Sequence, residues 1–434
     1  MTSANESGAP ICHNDDEARQ ELTGLADLLV HNRRIRLRAD DSVMDWYDGK
    51  PYMIRRSRGY APLPFFYGNS QGKDVLAIGG ELKNCFCIGR NNLFYPSPYI
   101  GDMSDIRTVQ ALRESVQRMA SLLEASPSVV ACDLHPATTR RPWPANWAGL
   151  SCPSSITMST SCPAWPKTTV QPVIGVSFDG TGYGTDGTIW GGEILISSLQ
   201  ALNGPLPLTF WQRGGDISAK EGWRIAVSLL DGLFDRNGVT AMVEDLKLCQ
   251  PKELAAQFFL ADQQINSVIS TSAGRLFDGV SAILGLCRMS TFQGQAAMSL
   301  QFAAERWEGA HGAMEVQPLT IDGDGRRLLP TLALVKDLVE KRLSGEDPDK
   351  LAYEFHCRLA GMVVGICESV RRETGLTTAA ISGGVFQNRL LLSLCDKALQ
   401  QRGFTVLRHS LVPPNDGGIA LGQAIMRCIT KLFK

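Results

Sequence analysis

Apolar positions along this chain alternate between short runs of β character and stretches with helical spacing. Residues 18–30 carry a helical pattern, with an acidic start at Asp15, Asp16 and Glu17 that suits the positive end of a helix dipole. Short extended runs follow at 34–37 and 52–55, separated by Asp48-Gly49, and Pro62, Pro64 and Gly68 punctuate a linker. Beyond it, DVLAIGG at 74–80 predicts a strand running into a glycine turn. Residues 84–89 predict a second apolar run, 109–123 an amphipathic helix and 129–132 a short buried strand. Residues 172–178 predict another strand, which opens onto DGTGYG at 179–184. A strand at 379–381 ends in SGGVFQN at 382–388, followed by a helix over 389–401. A strand at 404–408 and NDGG at 415–418 precede a helix to residue 430. Strands alternating with helices predict a layered α/β architecture.

The chemistry-bearing candidates sit in those glycine turns. Glycine lets backbone N–H groups approach an anion, and a following helix N-terminus adds its positive end. Two such turns, each after an apolar strand, suit the two ends of a polyphosphate. Asp179 and Asp416 stand at element ends, where a carboxylate can hold Mg²⁺ or a harder-bound metal. Each feature has a plainer reading as well: a glycine turn can be a hairpin, Asp416 a helix N-cap and Asp179 a carboxylate satisfying turn amides. Neither turn has the Gly-Lys-Ser/Thr ending of a Walker A loop. Arg33, Arg34, Arg36, Arg38, Arg55, Arg56 and Arg58 make the first block locally basic, which fits a solvated surface or a phosphate clamp.

Composition narrows the class. The chain has 434 residues, is 44% hydrophobic and 20% charged, and carries a net charge of -1, so no global basic field draws it to nucleic acid or anionic membrane. No run of 18 uncharged apolar residues occurs, and the polar N-terminus lacks a signal-peptide pattern. The 12 cysteines are scattered without a CxxC pair, the pattern of reduced cytoplasmic thiols, and no two of the 6 histidines are close enough to form a local metal pair. One window departs from the average. Residues 137–171 contain no Asp or Glu, where about three or four acids are expected. They hold Trp143, Trp147, Trp165 and five prolines, which forbid a long helix or a central strand.

Taken together, these residues resemble the hydrogenase-maturation carbamoyltransferases, the HypF family. The matching segments are MTSANESG (1–8), DDSV (40–43), RRSRGYAP (55–62), GGELKN (79–84), IGD (100–102), ACDLHP (131–136) and 178–193. They continue with GGD (214–216), TSAGRLFD (271–278), GQAA (294–297), SGGVFQN (382–388) and PPNDGGIALGQ (413–423). The resemblance implies an α/β protein in two parts. Residues 1–68 correspond to the end of a YrdC-type nucleotide domain, and 69–434 to a two-lobed carbamoyltransfer domain of the actin-like sugar-kinase superfamily. The chain then starts inside the YrdC-type domain, without the family's acylphosphatase and zinc-finger-like modules and without most of the adenylating pocket.

The family hydrolyses carbamoyl phosphate, activates the carbamate with ATP as carbamoyl-adenylate, and moves the carbamoyl group to a cysteine of a HypE-like acceptor protein. There it becomes the source of cyanide for a [NiFe] centre. Carried over residue by residue, Ser3 and Asn5 contact nucleotide in the YrdC-type part. Gly180, Thr181, Gly182, Gly184, Gly214, Gly215, Asp216, Gly383, Gly384 and Asn388 line the second nucleotide site. Asp179 and Asn388 take catalytic roles, and Asp179 and Asp416 bind the metal, Zn²⁺ or Fe²⁺, beside ATP with Mg²⁺. No membrane and no specific nucleic acid enter as partners.

Two departures matter. Gln293 stands where the family usually has Glu. The family's His-His-x-x-His metal cluster, expected before the 172–178 strand, is absent, for no histidine lies between His135 and His311. Codons reconcile the second departure with the acid-free window. If Ser155 ends in C and residues 156–160 are ATC-ACT-ATG-TCC-ACA, reading from one base earlier gives CAT-CAC-TAT-GTC-CAC, or His-His-Tyr-Val-His. The same offset turns the stretch from Trp165 to Thr168 into Ala-Glu-Asp-Asp and supplies Asp-Tyr after Pro136. The expectation, with a natural divergent loop as the alternative, is a frameshift near Pro136 compensated near Gln171. It replaces a core strand and helix with proline-rich coil and leaves a carboxylate-only metal site that binds weakly. Two other readings stand beside hydrogenase maturation: O-carbamoylation of a small-molecule hydroxyl, and a non-catalytic nucleotide-binding or decayed gene product. The first is found in relatives whose transfer domain usually leads, whereas here the YrdC-type piece leads.

Overall fold

The computed structural model describes residues 4–6, 8–27, 35, 37–68, 74–133, 135, 152–154, 172–184, 186–198, 201–203, 209–309, 315–316, 319–321 and 327–429. It divides into two compact units, one of residues 1–171 with 408–434 and one of residues 172–407. The boundary expected at residue 68 lies inside the first unit. The architecture is mixed α/β, as the alternation of strands and helices predicts.

The first unit is built on a six-stranded sheet in the order Phe65–Phe66, Leu93–Pro96, Cys87–Arg90, Val75–Ala77, Val129–Asp133, Cys152–Ser154. The first four strands pair antiparallel, and the last two join in parallel. Because strand side chains alternate faces, Val75 and Ala77 pack with Ala420, Leu421, Ala424 and Cys428 of the helix Ile419–Ile429. Leu76 and Ile78 pack with Leu112, Val116 and Met119 of the helix Ile106–Leu122. Asp105 starts that second helix by accepting the Arg107 N–H at 2.8 Å.

Three details differ from the sequence reading. The presumed linker contributes the edge strand Phe65–Phe66. The helix expected over 18–30 is observed as Asp15–Leu22, capped by Asn14, and 28–30 lie outside the described residues. The anomalous window is not coil throughout, since Cys152–Ser154 pairs with Ala131–Asp133. Among the described residues this strand is the last of its sheet, a position that tolerates Pro153.

The first unit also holds the hairpin Val43–Tyr47/Lys50–Arg55. Asp48 and Gly49 turn it with positive φ of 51° and 68°, the tight-turn geometry that matches strand twist. The described arginines of the basic block are committed internally. Arg38 pairs with Glu17 at 2.8 Å, Arg55 with Asp40 and Arg58 with Asp41 at 3.3 Å. Arg56 is buried and donates to the carbonyls of Tyr60 and Leu63 at 2.6 and 2.8 Å.

The second unit carries a seven-stranded sheet in the order Phe210–Arg213, Ser267–Ser270, Ile189–Ser198, Val173–Tyr183, Thr378–Ser382, Thr405–Arg408, with Ala201–Asn203 added to Ile189–Ser198. Its central path repeats that of the first unit. A long antiparallel hairpin carries a third antiparallel strand on one side and a parallel strand on the other, with a fifth strand beyond. This duplicated path is the architecture expected of an actin-like domain. Among the described residues, no helix is long and apolar enough to cross a membrane.

Candidate nucleotide site

Pairing directions in the second unit put the candidate segments at one end of the sheet. Thr378–Ser382 runs parallel to Val173–Tyr183. Phe210–Arg213 is antiparallel to Ser267–Ser270, which is parallel to Ile189–Ser198, which is antiparallel to Val173–Tyr183. Three strands therefore point the same way. Gly180–Gly184, Gly214–Asp216 and Gly383–Gly384 all lie toward or beyond their C-terminal ends, where open α/β sheets bind ligands.

The sequence reading treats 179–184 as a turn after a strand. The structure corrects this: the strand runs on through Tyr183, and the reversal comes at 184–188. A bulge lets glycine-rich sequence stay in the sheet. Pairing passes from Trp190↔Gly182 to Gly192↔Phe178, leaving Gly191 opposite Asp179–Thr181. A Cβ on Gly191 would stand 2.7 Å from the Asp179 carbonyl oxygen, so glycine permits this approach. The Asp179 carboxylate accepts its neighbour's Gly180 N–H at 2.8 Å. Thr181 is exposed and donates to the Gly180 carbonyl at 2.7 Å. Asp186, which the sequence reading passed over, gathers Thr188 and the Trp190 indole N–H at the hairpin end.

Glu193 and Thr271 lie behind the bulge. Glu193 is 1% exposed, and its Oε1 accepts from the Gly191 N–H at 2.9 Å and from the Thr271 hydroxyl. Burial pushes its carboxyl up to about 7, against the pull of the Thr271, Gly191 and Gly192 hydrogen bonds and with some help from the Asp179 charge. The folded chain thus keeps this proton to higher pH than the unfolded chain, whose glutamate titrates near 4.5. The resulting stability is full below that value and is lost as pH rises toward about 7. Urea unfolding between pH 5 and 8 should show this decline, on the order of 3 kcal/mol for a shift of this size. Glu193→Gln should make the decline shallower; equal slopes in the two proteins would show that Glu193 does not carry it.

Gly383 has a φ of +101° and leads into a single turn, Gly384–Gln387, that ends at Asn388. Asn388 is 8% exposed, and its carboxamide is engaged on both sides. Oδ1 accepts the Leu391 N–H at 3.0 Å and so starts the helix Arg389–Gln401, while Nδ2 lies 2.8 Å from His356 Nε2. His356 sits inside the helix Pro348–Thr374, fully buried, with Nδ1 2.7 Å from the Ala352 carbonyl. Burial holds the imidazole down to about 4, so it is neutral. Nδ1 then donates to the carbonyl, and Nε2 accepts from Asn388. Asn388 thus caps the helix and is held in place by His356.

Gly214 is left-handed and its N–H donates to the Asn266 carbonyl at 3.0 Å, while Gly215 and Asp216 are exposed. In the first unit, Asp416 is not the N-cap the sequence allowed. Asn415 takes that place by accepting the Gly417 N–H at 3.0 Å, and Asp416 lies 3.8 Å from Lys83. Asn5 donates to Ala9 and Glu6 carbonyls at 2.8 and 3.0 Å, closing its own turn. Ser3 lies outside the described residues.

Comparison with known proteins follows this geometry. A family model described as "Carbamoyltransferase, Kae1-like Domain, second subdomain" matches residues 175–423, more than half the chain. The chain belongs to the HypF carbamoyltransferase family. A model described as "HypF Kae1-like domain" matches 70–157, and the YrdC-type model described as "Telomere recombination" matches 1–57. The chain is 34% identical to carbamoyltransferase HypF2 of Cupriavidus necator over 98% of its own length and 55% of that relative's. A second protein of that organism, a HypF homolog, is 32% identical over 81% of this chain and 90% of its own length. The crystal structure of full-length HypF in its phosphate- and nucleotide-bound form matches with a TM-score of 0.90 and 31% identity, over 98% of this chain and 56% of that one. The chain thus spans about half the length of the first HypF relatives it matches.

Proposed function

We propose that this HypF-family chain is the ATP-using carbamoyl-transfer half of a hydrogenase-maturation enzyme. The observation that carries the reading is the collection of Asp179–Gly184, Gly214–Asp216 and Gly383–Gly384 at one end of a single sheet. The nucleotide-bound HypF crystal structure with a matching fold supports it. In this reading Gly180, Thr181, Gly182 and Gly184 hold phosphate oxygens of ATP, and Gly214, Gly215 and Asp216 take the far side of the nucleotide. The Gly383–Gly384 turn adds backbone donors held in place by Asn388 and His356. Carbamate from carbamoyl phosphate attacks the α-phosphorus, pyrophosphate leaves, and a thiolate of a HypE-like acceptor then takes the carbamoyl carbon and releases AMP.

The described residues do not by themselves make up a zinc or iron centre. Among the described residues no three His, Cys, Asp or Glu side chains come together to hold an ion, and the His356 nitrogens are taken by Ala352 and Asn388. The steps above therefore rest on the chain's backbone donors and side chains, with Mg²⁺ arriving as part of the nucleotide substrate. The test is ATP-dependent transfer of the carbamoyl group of labelled carbamoyl phosphate to a HypE-like acceptor, by this chain supplemented with the amino-terminal portion of a full-length relative, which supplies the adenylating pocket. Transfer lost in Asp179→Ala is expected; an unchanged rate in that variant removes this site from the reaction.

A further inference from the structure

The guanidinium of Arg275 stands beside the phosphate-type hairpin and has no role in the scheme above. It lies in the first turn of the helix Ala273–Ile283, whose N-cap Ser272 accepts the Arg275 N–H at 3.0 Å and donates to the Gly180 carbonyl. The helix start is thus fastened to the same backbone that carries Asp179. A Cβ built on Gly180 would lie 3.3 Å from Arg275 Nη2, so this nitrogen reaches the loop itself.

The opposite side of the guanidinium faces a buried carboxylate. Nη1 lies 2.9 Å from Asp278 Oδ2, one turn along the helix, and the two side chains are 13% and 7% exposed. Among the described residues Asp278 has no further cation to balance it, and burial pushes its carboxyl up to about 6 against the pull of Arg275. Nε and Nη1 are buried without hydrogen bonds, and no hydrogen bond among the described residues uses Nη2. A planar guanidinium held at one edge by a buried carboxylate, with its other nitrogen turned toward a glycine loop, is prearranged for an anionic oxygen.

We infer that Arg275 binds a phosphoryl oxygen of the ligand seated on the Asp179–Gly184 hairpin, with Asp278 as the buried carboxylate that aims it. This deepens the nucleotide reading and rests on it. The phosphoryl group could belong to ATP or to carbamoyl phosphate, and the two sources separate experimentally. A purely structural ion pair would also make Arg275 and Asp278 equivalent, so that losing either would harm the chain alike. An anion-binding arginine makes them opposite, because removing Asp278 frees the positive charge.

Titration calorimetry of the full chain with ATP, AMP and carbamoyl phosphate provides the test, using wild type, Arg275→Gln, Asp278→Asn and the double variant. The double variant keeps the buried pair uncharged and guards against a fold lost to an orphaned carboxylate. Loss of one charge-assisted bond predicts roughly 10- to 100-fold weaker ATP binding in Arg275→Gln and in the double variant. Asp278→Asn should bind ATP as tightly as wild type or more tightly, and AMP should change little in any variant. The same pattern with carbamoyl phosphate in place of ATP would support the inference with that ligand as the source. ATP and carbamoyl phosphate binding unchanged in the double variant, or weakened equally by Asp278→Asn, overturns the inference and leaves the nucleotide reading standing. A wild-type chain that binds none of the three overturns both.

Discussion

Rewriting codons 137–171 in the alternative frame should yield a chain that retains one equivalent of zinc or iron through gel filtration. The chain as written should hold that metal at least about a hundredfold more weakly, because two imidazole ligands are missing from a hard carboxylate set. One offset supplies His-His-Tyr-Val-His at 156–160, acids near 166–169 and Asp-Tyr after Pro136, all within the window that lacks acids. The family models also leave residues 158–174 unmatched between their two segments. Metal analysis of both purified chains settles the matter: equal, stoichiometric metal in both would sink the frameshift account. Sequencing the locus gives an independent answer, since a single frame lacking the alternative triplets would exclude the shift outright.

The second large effect is expected from Gly383→Ala. A Cβ there would lie 2.0 Å from the carbonyl oxygen and 2.8 Å from the nitrogen of Phe178, backbone atoms of the neighbouring strand that have nowhere to go. The backbone at φ +101° and ψ 154° is also essentially closed to side chains. Strain and clash together predict a loss of at least about 3 kcal/mol. Gly345→Ala is the matched control, because it has positive φ but nothing within 4 Å, and should cost only about 1 kcal/mol. Urea unfolding of the two variants would separate these values, and similar midpoints would mean that the strands part at little cost. Nucleotide binding should fall together with stability in Gly383→Ala, since the same turn presents the Gly384 amide.

Much of the fold could be read from the pattern of residues, and the misses have physical causes. The helix Arg389–Gln401 was placed at its observed bounds because Asn388 is a strong cap and the helical apolar period runs unbroken behind it. The strand Val173–Tyr183 was cut short because DGTGYG has turn composition. Only the bulge opposite Gly191, on another strand, keeps that sequence extended. The plainer reading of Asp416 failed by one residue, because Asn415 competes for the same amide. Glu193, Thr271 and Arg275 lie in segments that match the family, yet their placement around Gly180 and Gly191 depends on contacts between residues some 80 to 90 positions apart. The duplicated strand path was not legible, because the two hairpins share glycines and little else.

The closing of the first unit by residues 408–434 sets an order on folding. One face of its sheet is covered by Val412, Ala420, Leu421, Ala424, Ile425 and Cys428, all translated after the whole of the second unit. Residues 172–407 form a continuous unit and can condense as they leave the ribosome, whereas Val75, Ala77 and Phe94 must wait with their apolar face open. These strands are therefore sealed only after the helix Ile419–Ile429 has been made, and until then their open apolar face is exposed to association with other chains.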